Sequence, residues 1–145
     1  MTQYLAFKLG AELYGIDLLE IQEIRGYSPA TPLPNSPPHF RGVMNLRGVI
    51  VPVVDLRSRF GLSAAEPGKT NVIVVVTAGG KTTGLLVDAV ADVMDVASDQ
   101  VSPPPAVAGA LPTELIRGVV RTPESLVVLL DLARTIASTA RPLAA

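Results

Sequence analysis

Apolar residues in this chain come in short runs cut by Gly, Pro and Asn, and the commonest spacing within the runs is two. Tyr4–Leu9 sets Tyr4, Ala6 and Lys8 against Leu5, Phe7 and Leu9, the period of a half-buried strand. Gly10 ends that run, and Leu13–Asp17 supplies a hairpin partner. Leu18–Ile24 has apolar residues at 18, 19, 21 and 24 with Glu20 and Glu23 between them, which fits one or two helical turns leading into another strand. Ser28–Pro38 holds five prolines and is expected to be an extended surface loop. Val43–Leu46 and Val49–Asp55 flank Arg47–Gly48, a two-residue turn. Pro52 has no backbone donor, which predicts an edge or a bulge. Leu56–Phe60 predicts one helical turn closed by Gly61, and Ser63–Lys69 a loop.

Asn71–Thr77 and Thr83–Val87 flank Ala78–Thr82, the clearest hairpin signal, with Val76 and Leu85 expected near its turn end. Ser102–Pro105 opens a second Pro-rich segment. Leu115–Arg121 and Ser125–Leu130 bracket Thr122–Pro123–Glu124, a third hairpin, and Leu132–Ala137 reads as a short terminal helix. Eight to ten short strands without a βαβ rhythm predict an all-β barrel or a pair of small barrels. Strands such as Val72–Val76 are apolar on both faces, so both faces need cover, which one open sheet with a wet side cannot supply.

Composition narrows the function. The chain has 145 residues, 48% hydrophobic and 17% charged, enough to bury a core in one domain or two small fused ones. With 12 basic and 13 acidic residues, there is no cationic excess to neutralise a phosphate backbone, which argues against nucleic acid as a partner. The absence of cysteine excludes a disulfide scaffold, a thiolate metal site and a cysteine nucleophile. The longest runs of large apolar residues, Val72–Val76 and Leu126–Leu130, fall far short of the ~20 residues of a membrane span. Met1–Leu9 has no leader pattern, so a soluble cytoplasmic protein without membrane insertion is expected.

Candidate chemistry is sparse. His39, the sole histidine, follows Pro37–Pro38 with no nucleophile or carboxylate beside it, and zinc would need further ligands. Gly80–Lys81–Thr82 resembles the end of a phosphate loop, but Val75 stands where the first Gly is required and a strand follows instead of a helix. Asp88, Asp92, Asp95 and Asp99 are spaced 4, 3 and 4 apart; the spacing lacks the Gly and the density of a calcium loop and reads as a solvated acidic edge. No catalytic residue, metal site or cofactor is assigned. Arg47, at a turn between apolar strands, is either a solubilising turn residue or an exposed guanidinium at a binding surface. Glu23, between Ile21 and Ile24, poses the same alternative, since it cannot be buried cheaply with them.

Tyr14–Gly15–Ile16–Asp17, Ile21–Tyr27 (IQEIRGY), Gly42–Arg57 (GVMNLRGVIVPVVDLR) and Gly84–Asp88 with Val90 and Asp92–Val93 resemble the CheW family, the coupling proteins of bacterial chemotaxis. The resemblance runs from about Tyr4 to Ile136. It implies two five-stranded SH3-like barrels sharing an apolar core, with short helices: one CheW-like domain over residues 1–145 made of two intertwined subdomains, ordered over about 4–137. It also implies a non-catalytic adaptor joining the cytoplasmic tip of chemoreceptors (methyl-accepting chemotaxis proteins) to the regulatory domain of the histidine kinase CheA. Rings within receptor arrays at the inner face of the membrane would follow. Carried over, the receptor-facing groove between the barrels would include Ile21, Glu23, Ile24, Arg47, Gly84 and Val90. In it the apolar members cover the receptor's helical hairpin, Glu23 and Arg47 set register, and Gly84 permits close backbone approach. The kinase-binding residues are not assigned. The chain departs from its relatives in Pro103–Leu111, which has no aromatic residue, Val107 being the nearest substitute. The rival readings are an equivalent adaptor in a parallel kinase pathway such as twitching motility and, more distantly, a small β-barrel enzyme or ligand-binding protein.

Overall fold

Strands that are apolar on both sides need two cores, and this protein has them. The computed structural model describes residues 1–28, 30–32, 34, 40–60, 70–103, 113–123 and 125–140, without the side chains at 40, 59, 113 and 137–140. Eleven strands lie among these residues: β1 Thr2–Leu9, β2 Glu12–Asp17, β3 Ile21–Gly26, β4 Phe40–Leu46, β5 Val49–Asp55, β6 Val72–Ala78, β7 Lys81–Val87, β8 Ala89–Val96, β9 Val101–Ser102, β10 Ile116–Arg121 and β11 Leu126–Leu130. Two helices, α1 Leu56–Arg59 and α2 Leu132–Ala140, join three short 3-10 turns. The strands form one sheet in the order β8-β1-β2-β11-β10-β9 and another in the order β3-β6-β7-β5-β4. The N-terminal hairpin therefore belongs with the C-terminal strands, and the five-stranded sheet is inserted between them.

Both sheets curl. The edges of the six-stranded sheet, β8 and β9, are separated in sequence only by residues 97–100. Laid flat, six strands at about 4.8 Å spacing would put those edges ~24 Å apart. Five peptide steps reach at most ~18 Å. In the other sheet the chain beyond β3 returns to β4: Thr31 and Val43 exchange both backbone hydrogen bonds at 2.9 Å. The result is the expected all-β pair of small barrels, one with six strands where five were expected.

Alternation along each strand sorts side chains between cores. On β6, Val74 and Val76 face a cluster shared by both sheets, while Ile73 and Val75 face the interior of their own sheet. On β11, Leu130 belongs to the shared cluster and Val127 and Leu129 to the interior of the six-stranded sheet. The shared cluster is the largest: Leu5, Phe7, Leu9, Tyr14 and Ile16 from one sheet meet Val54, Val74, Val76, Leu85 and Val87 from the other, sealed by Leu132 and Ile136 of α2. Phe7 and Tyr14 stack in it with ring centroids 6.0 Å apart. The double-sided burial expected of Val72–Val76 thus has a physical partner on each face.

Several expectations need correction. The hairpin between β6 and β7 turns on Gly79–Gly80 alone, both at positive φ, because Ala78 pairs with Lys81 and Thr77 with Thr82. Leu85 therefore sits opposite Val74, and Val76 opposite Thr83. Pro52 is on an interior strand, not an edge, and the irregularity of the ladder falls at Phe40–Gly42 of β4. Its missing N–H is tolerated because Val43, directly opposite, gives both backbone groups to Thr31, and the parallel ladder to β7 begins one residue later at Val53. The alternation of β8 is interrupted near Ala91, where its register to β1 shifts, so it does not read as a strand from its apolar positions. Gly61, Ser63–Lys69, His39 and the 104–112 loop with Val107 lie outside the described residues.

The shared cluster couples the two sheets, so Leu85→Ala is expected to cost ~2–5 kcal/mol and to lower one unfolding midpoint for the whole molecule. Urea unfolding followed by circular dichroism and by amide exchange on β1 and β5 checks this; separate transitions for the two strands would show that the sheets fold independently.

Candidate functional site

The chain crosses between sheets twice, and the candidate residues follow the crossings. The first crossing is the 3-10 turn Leu18–Glu20, capped by Asp17, whose Oδ1 accepts from Leu19 N at 3.0 Å. It delivers β3, an edge strand. The second is a single residue, Asp88, between β7 and β8, and it delivers the other sheet's edge strand. Directly opposed residues in antiparallel strands share a face. Ile21 opposes Val76 and Ile24 opposes Val74, so both continue the shared-core face out to the edge of the five-stranded sheet. Val90 opposes Phe7 and Val93 opposes Leu5, so they do the same for the six-stranded sheet. Ile24, Val90 and Val93 are 43, 37 and 44% exposed. The shared core therefore surfaces on each edge strand as an apolar rim.

Glu23 opposes Val75, so it points to the other face, and a bulge at Gln22 sets this offset. Gln22 bonds through its amide to the Thr77 hydroxyl, which in turn is 3.1 Å from that of Thr82. Arg47 lies at the β4–β5 turn, and its Nη1 stands 2.9 Å from Glu23 Oε1. Glu23 Oε1 is closed to solvent and lacks an aligned hydrogen bond, so the Arg47 charge is its compensation. The guanidinium side chain remains 75% exposed. An ion pair this open is worth at most ~1 kcal/mol.

Arg47 is also the only non-glycine with positive φ among the described residues, at 51°, followed by Gly48 at 88°. Two successive positive φ values match a type I′ turn, which selects Asn or Gly at its first central position. An L side chain there costs ~1–2 kcal/mol. Asn45 supports the turn by accepting from Gly48 N at 2.7 Å. The turn thus holds a strained cationic residue where turn chemistry favours another type.

Gly84 lies apart from the rim. It is buried on β7, and a Cβ there would stand 2.9 Å from Ile73 Cγ2 and 3.6 Å from Met44 Sδ. The close approach it permits is that of its own barrel's side chains. Ile21, Glu23, Ile24 and Arg47 thus gather on and beside β3, Val90 stands on the edge strand of the other sheet, and Gly84 is internal. Sequence reasoning missed Val93, whose signal is weak because the β8 bulge breaks its alternation with Val90. It also read Asp88 as part of an acidic edge; Asp92, Asp95 and Asp99 are exposed, but Asp88 is paired with Arg57. Gly80–Lys81–Thr82 is a hairpin turn and strand, as expected. Among the described residues no group of three His, Cys, Asp or Glu is placed to hold a metal ion.

The first crossing carries its own charge cluster. Burial pushes the Glu20 carboxyl above its ordinary value; Arg117 partly offsets this, and Asp17 and Asp131 add to it. One Glu20 oxygen has no hydrogen-bond partner, and Arg117 is held by the Tyr4 hydroxyl and stands 3.8 Å from Asp17.

Paired barrels with a shared core and an apolar rim on the edge strands define a two-barrel β protein. A family model described as a CheW-like domain matches residues 3–140, and the chain belongs to that family. It is 40% identical over 136 residues to the chemotaxis protein CheW of Klebsiella aerogenes, covering 94% of this chain and 82% of that one. It is 37% identical over 130 residues to the chemotaxis protein CheW of Rhizobium meliloti, covering 90 and 84%. The crystal structure of the scaffolding protein TtCheW from Thermoanaerobacter tengcongensis superposes with a TM-score of 0.87 at 30% identity, covering 98% of this chain and 92% of that one.

Two outcomes follow from this geometry. Gly84→Ala forces Ile73 to move and is expected to cost ~1–3 kcal/mol, read as a lowered urea midpoint; an unchanged midpoint would mean the barrel interior has room. For Glu20, a carboxyl whose folded value is raised binds its proton more tightly in the native state, so its ionisation weakens the fold as pH rises through that value. Glu20→Gln is therefore expected to raise the melting temperature at pH 7. The gain should shrink as pH falls toward the ordinary glutamate range, and a pH-independent difference in calorimetry would count against a desolvated carboxylate.

Proposed function

We propose that this protein is a non-catalytic adaptor that couples chemoreceptors to the histidine kinase CheA in signalling arrays. The observation that carries the reading is Arg47. A solubilising residue has no need of a strained left-handed turn position, whereas a recognition residue does, because the I′ turn projects it at the sheet edge beside Glu23. Membership of the CheW family supports the same conclusion.

The mechanism is simultaneous binding. The apolar rim residues Ile21, Ile24 and Val90 would cover the apolar face of a receptor's helical hairpin. The Glu23–Arg47 pair, half of it open to solvent, sets register and rejects wrong partners more than it adds affinity. Gly84 supports the site from within by letting Ile73 and Met44 pack. A second face takes the regulatory domain of the kinase, and residues 3–140 act as one unit. Holding both partners raises the effective concentration of each for the other, so that receptor state biases kinase activity. Among the described residues no helix is long and apolar enough to cross a membrane; the protein's place in the array is that of a scaffold beneath the receptors.

Arg47→Ala and Glu23→Ala are each expected to weaken binding to a receptor-tip fragment about tenfold or more while costing less than ~1 kcal/mol of stability. Titration calorimetry beside thermal melting separates the two effects. Loss of stability without loss of binding would make the pair structural, and failure of the unmodified protein to bind either partner would overturn the adaptor reading.

A further inference from the structure

The second crossing carries a clasp that no part of the adaptor reading requires. Asp88 is the only residue between β7 and β8, and three tethers converge on it. Its N–H donates to Lys8 O at 3.0 Å. Its Oδ2 accepts from Gly10 N at 2.7 Å and from Arg57 Nη1 at 2.5 Å. Gly10 belongs to the β1–β2 turn of one sheet and Arg57 to α1, which follows β5 of the other. The carboxylate thus ties together two barrels and the corner where the chain passes between them. Arg57 and Asp88 side chains are only 19 and 26% exposed, so the pair is sheltered from screening far more than the Glu23–Arg47 pair.

The strand that starts at this corner depends on it. β8 is an edge strand, paired on one side only, with β1. That pairing slips in register one residue beyond Val90. Val90 pairs with Phe7 of β1, is partly exposed and lies two residues from Asp88. The opposite rim, Ile21 and Ile24, lies on β3, likewise an edge strand, paired with β6 and bulged at Gln22.

We propose that Asp88 is a positioning residue for the receptor groove: through Gly10 and Arg57 it fixes the start of β8, and so the separation of Val90 and Val93 from Ile24 on β3. This rests on the receptor reading for its functional consequence but not for its geometry. The carboxylate does not touch the partner; it sets the width that a helical hairpin must match.

The absence of cysteine allows two spin labels to be placed without background. Arg25→Cys on β3 and Ala91→Cys on β8 are exposed positions outside the named rim. Double electron–electron resonance between them is expected to give one narrow distance in the otherwise unmodified protein. Asp88→Ala should broaden that distribution at temperatures well below melting. Asp88→Asn, which can keep the Gly10 acceptor but loses the charge, should give an intermediate width, and Arg57→Gln should resemble it. Receptor-tip affinity should fall about tenfold for Asp88→Ala, with affinity for the kinase regulatory domain within about twofold of the parent. A distance distribution unchanged in Asp88→Asn and Arg57→Gln overturns the proposal, even if Asp88→Ala fails to fold. A broadened distribution with receptor affinity unchanged overturns the positioning role. If the parent binds no receptor fragment, the adaptor reading falls while the distance measurement still decides the clasp.

Discussion

The shared core between the two sheets is the constraint on which the rest of this structure depends. Its members come from both ends and the middle of the chain: Leu5 and Ile16 from β1 and β2, Val74 and Leu85 from β6 and β7, Leu130 and Ile136 from β11 and α2. Neither sheet can bury that face alone. Each barrel has its own interior cluster as well, so β1, β5, β6, β7 and β11 carry apolar side chains on both faces, one parity for each core. A polar residue at either parity in the middle of these strands would leave an unpaired group in an apolar cluster, at a cost of ~1–3 kcal/mol or more. Chemistry is therefore pushed to the strand ends and sheet edges.

That exclusion accounts for where the candidate site lies. The apolar faces that make the shared core do not stop at its limits; on the edge strands β3 and β8 they continue into solvent as Ile24, Val90 and Val93. Edge strands otherwise invite non-specific pairing, which short length, bulges and charge suppress. Bulges and charge are both present: β3 is bulged at Gln22 with Glu23 and Arg25 beyond it, and β8 is bulged near Ala91 with Asp92 and Asp95 exposed. The same features that prevent indiscriminate association leave a narrow apolar rim for a shaped partner.

Much of this was legible in the sequence, and the failures have physical reasons. Alternation locates β1 closely, and apolar runs bounded by turn residues locate β2, β5 and β11, because both signals are local to the strand. The sequence makes the Gly79–Gly80 turn too long because Ala78, Lys81 and Thr82 are small or polar and look like loop, yet they complete the ladder. β8 was missed because its bulge shifts the parity halfway along. Arg47 and Glu23 could each be flagged from one-dimensional context, but their pairing joins edge strand β3 to the turn that follows the opposite edge strand, β4, and only curling of that sheet brings them together. Asp88 was least legible: its partners Gly10 and Arg57 are 78 and 31 residues away, and nothing near Asp88 announces either.

Two aspartates, Asp17 and Asp88, stand at the two crossings, and each bonds a backbone N–H while facing an arginine. The arrangement follows from the topology. At a crossing the chain leaves one ladder before entering the next, so backbone donors there have no strand partner. Asp17 satisfies such a donor locally, at Leu19 N, whereas Asp88 reaches one in the β1–β2 turn, at Gly10 N. Each charge then needs a counterion, and an arginine reaching from a neighbouring element supplies one with several donors in a fixed fork. The two pairs differ in strength: Arg57 meets Asp88 at 2.5 Å, whereas Arg117 stands 3.8 Å from Asp17 and shares its charge with Glu20 and Asp131. The tighter of the two closes the one-residue crossing that leads into β8, and the looser one the 3-10 turn that leads into β3; both are edge strands paired on one side only.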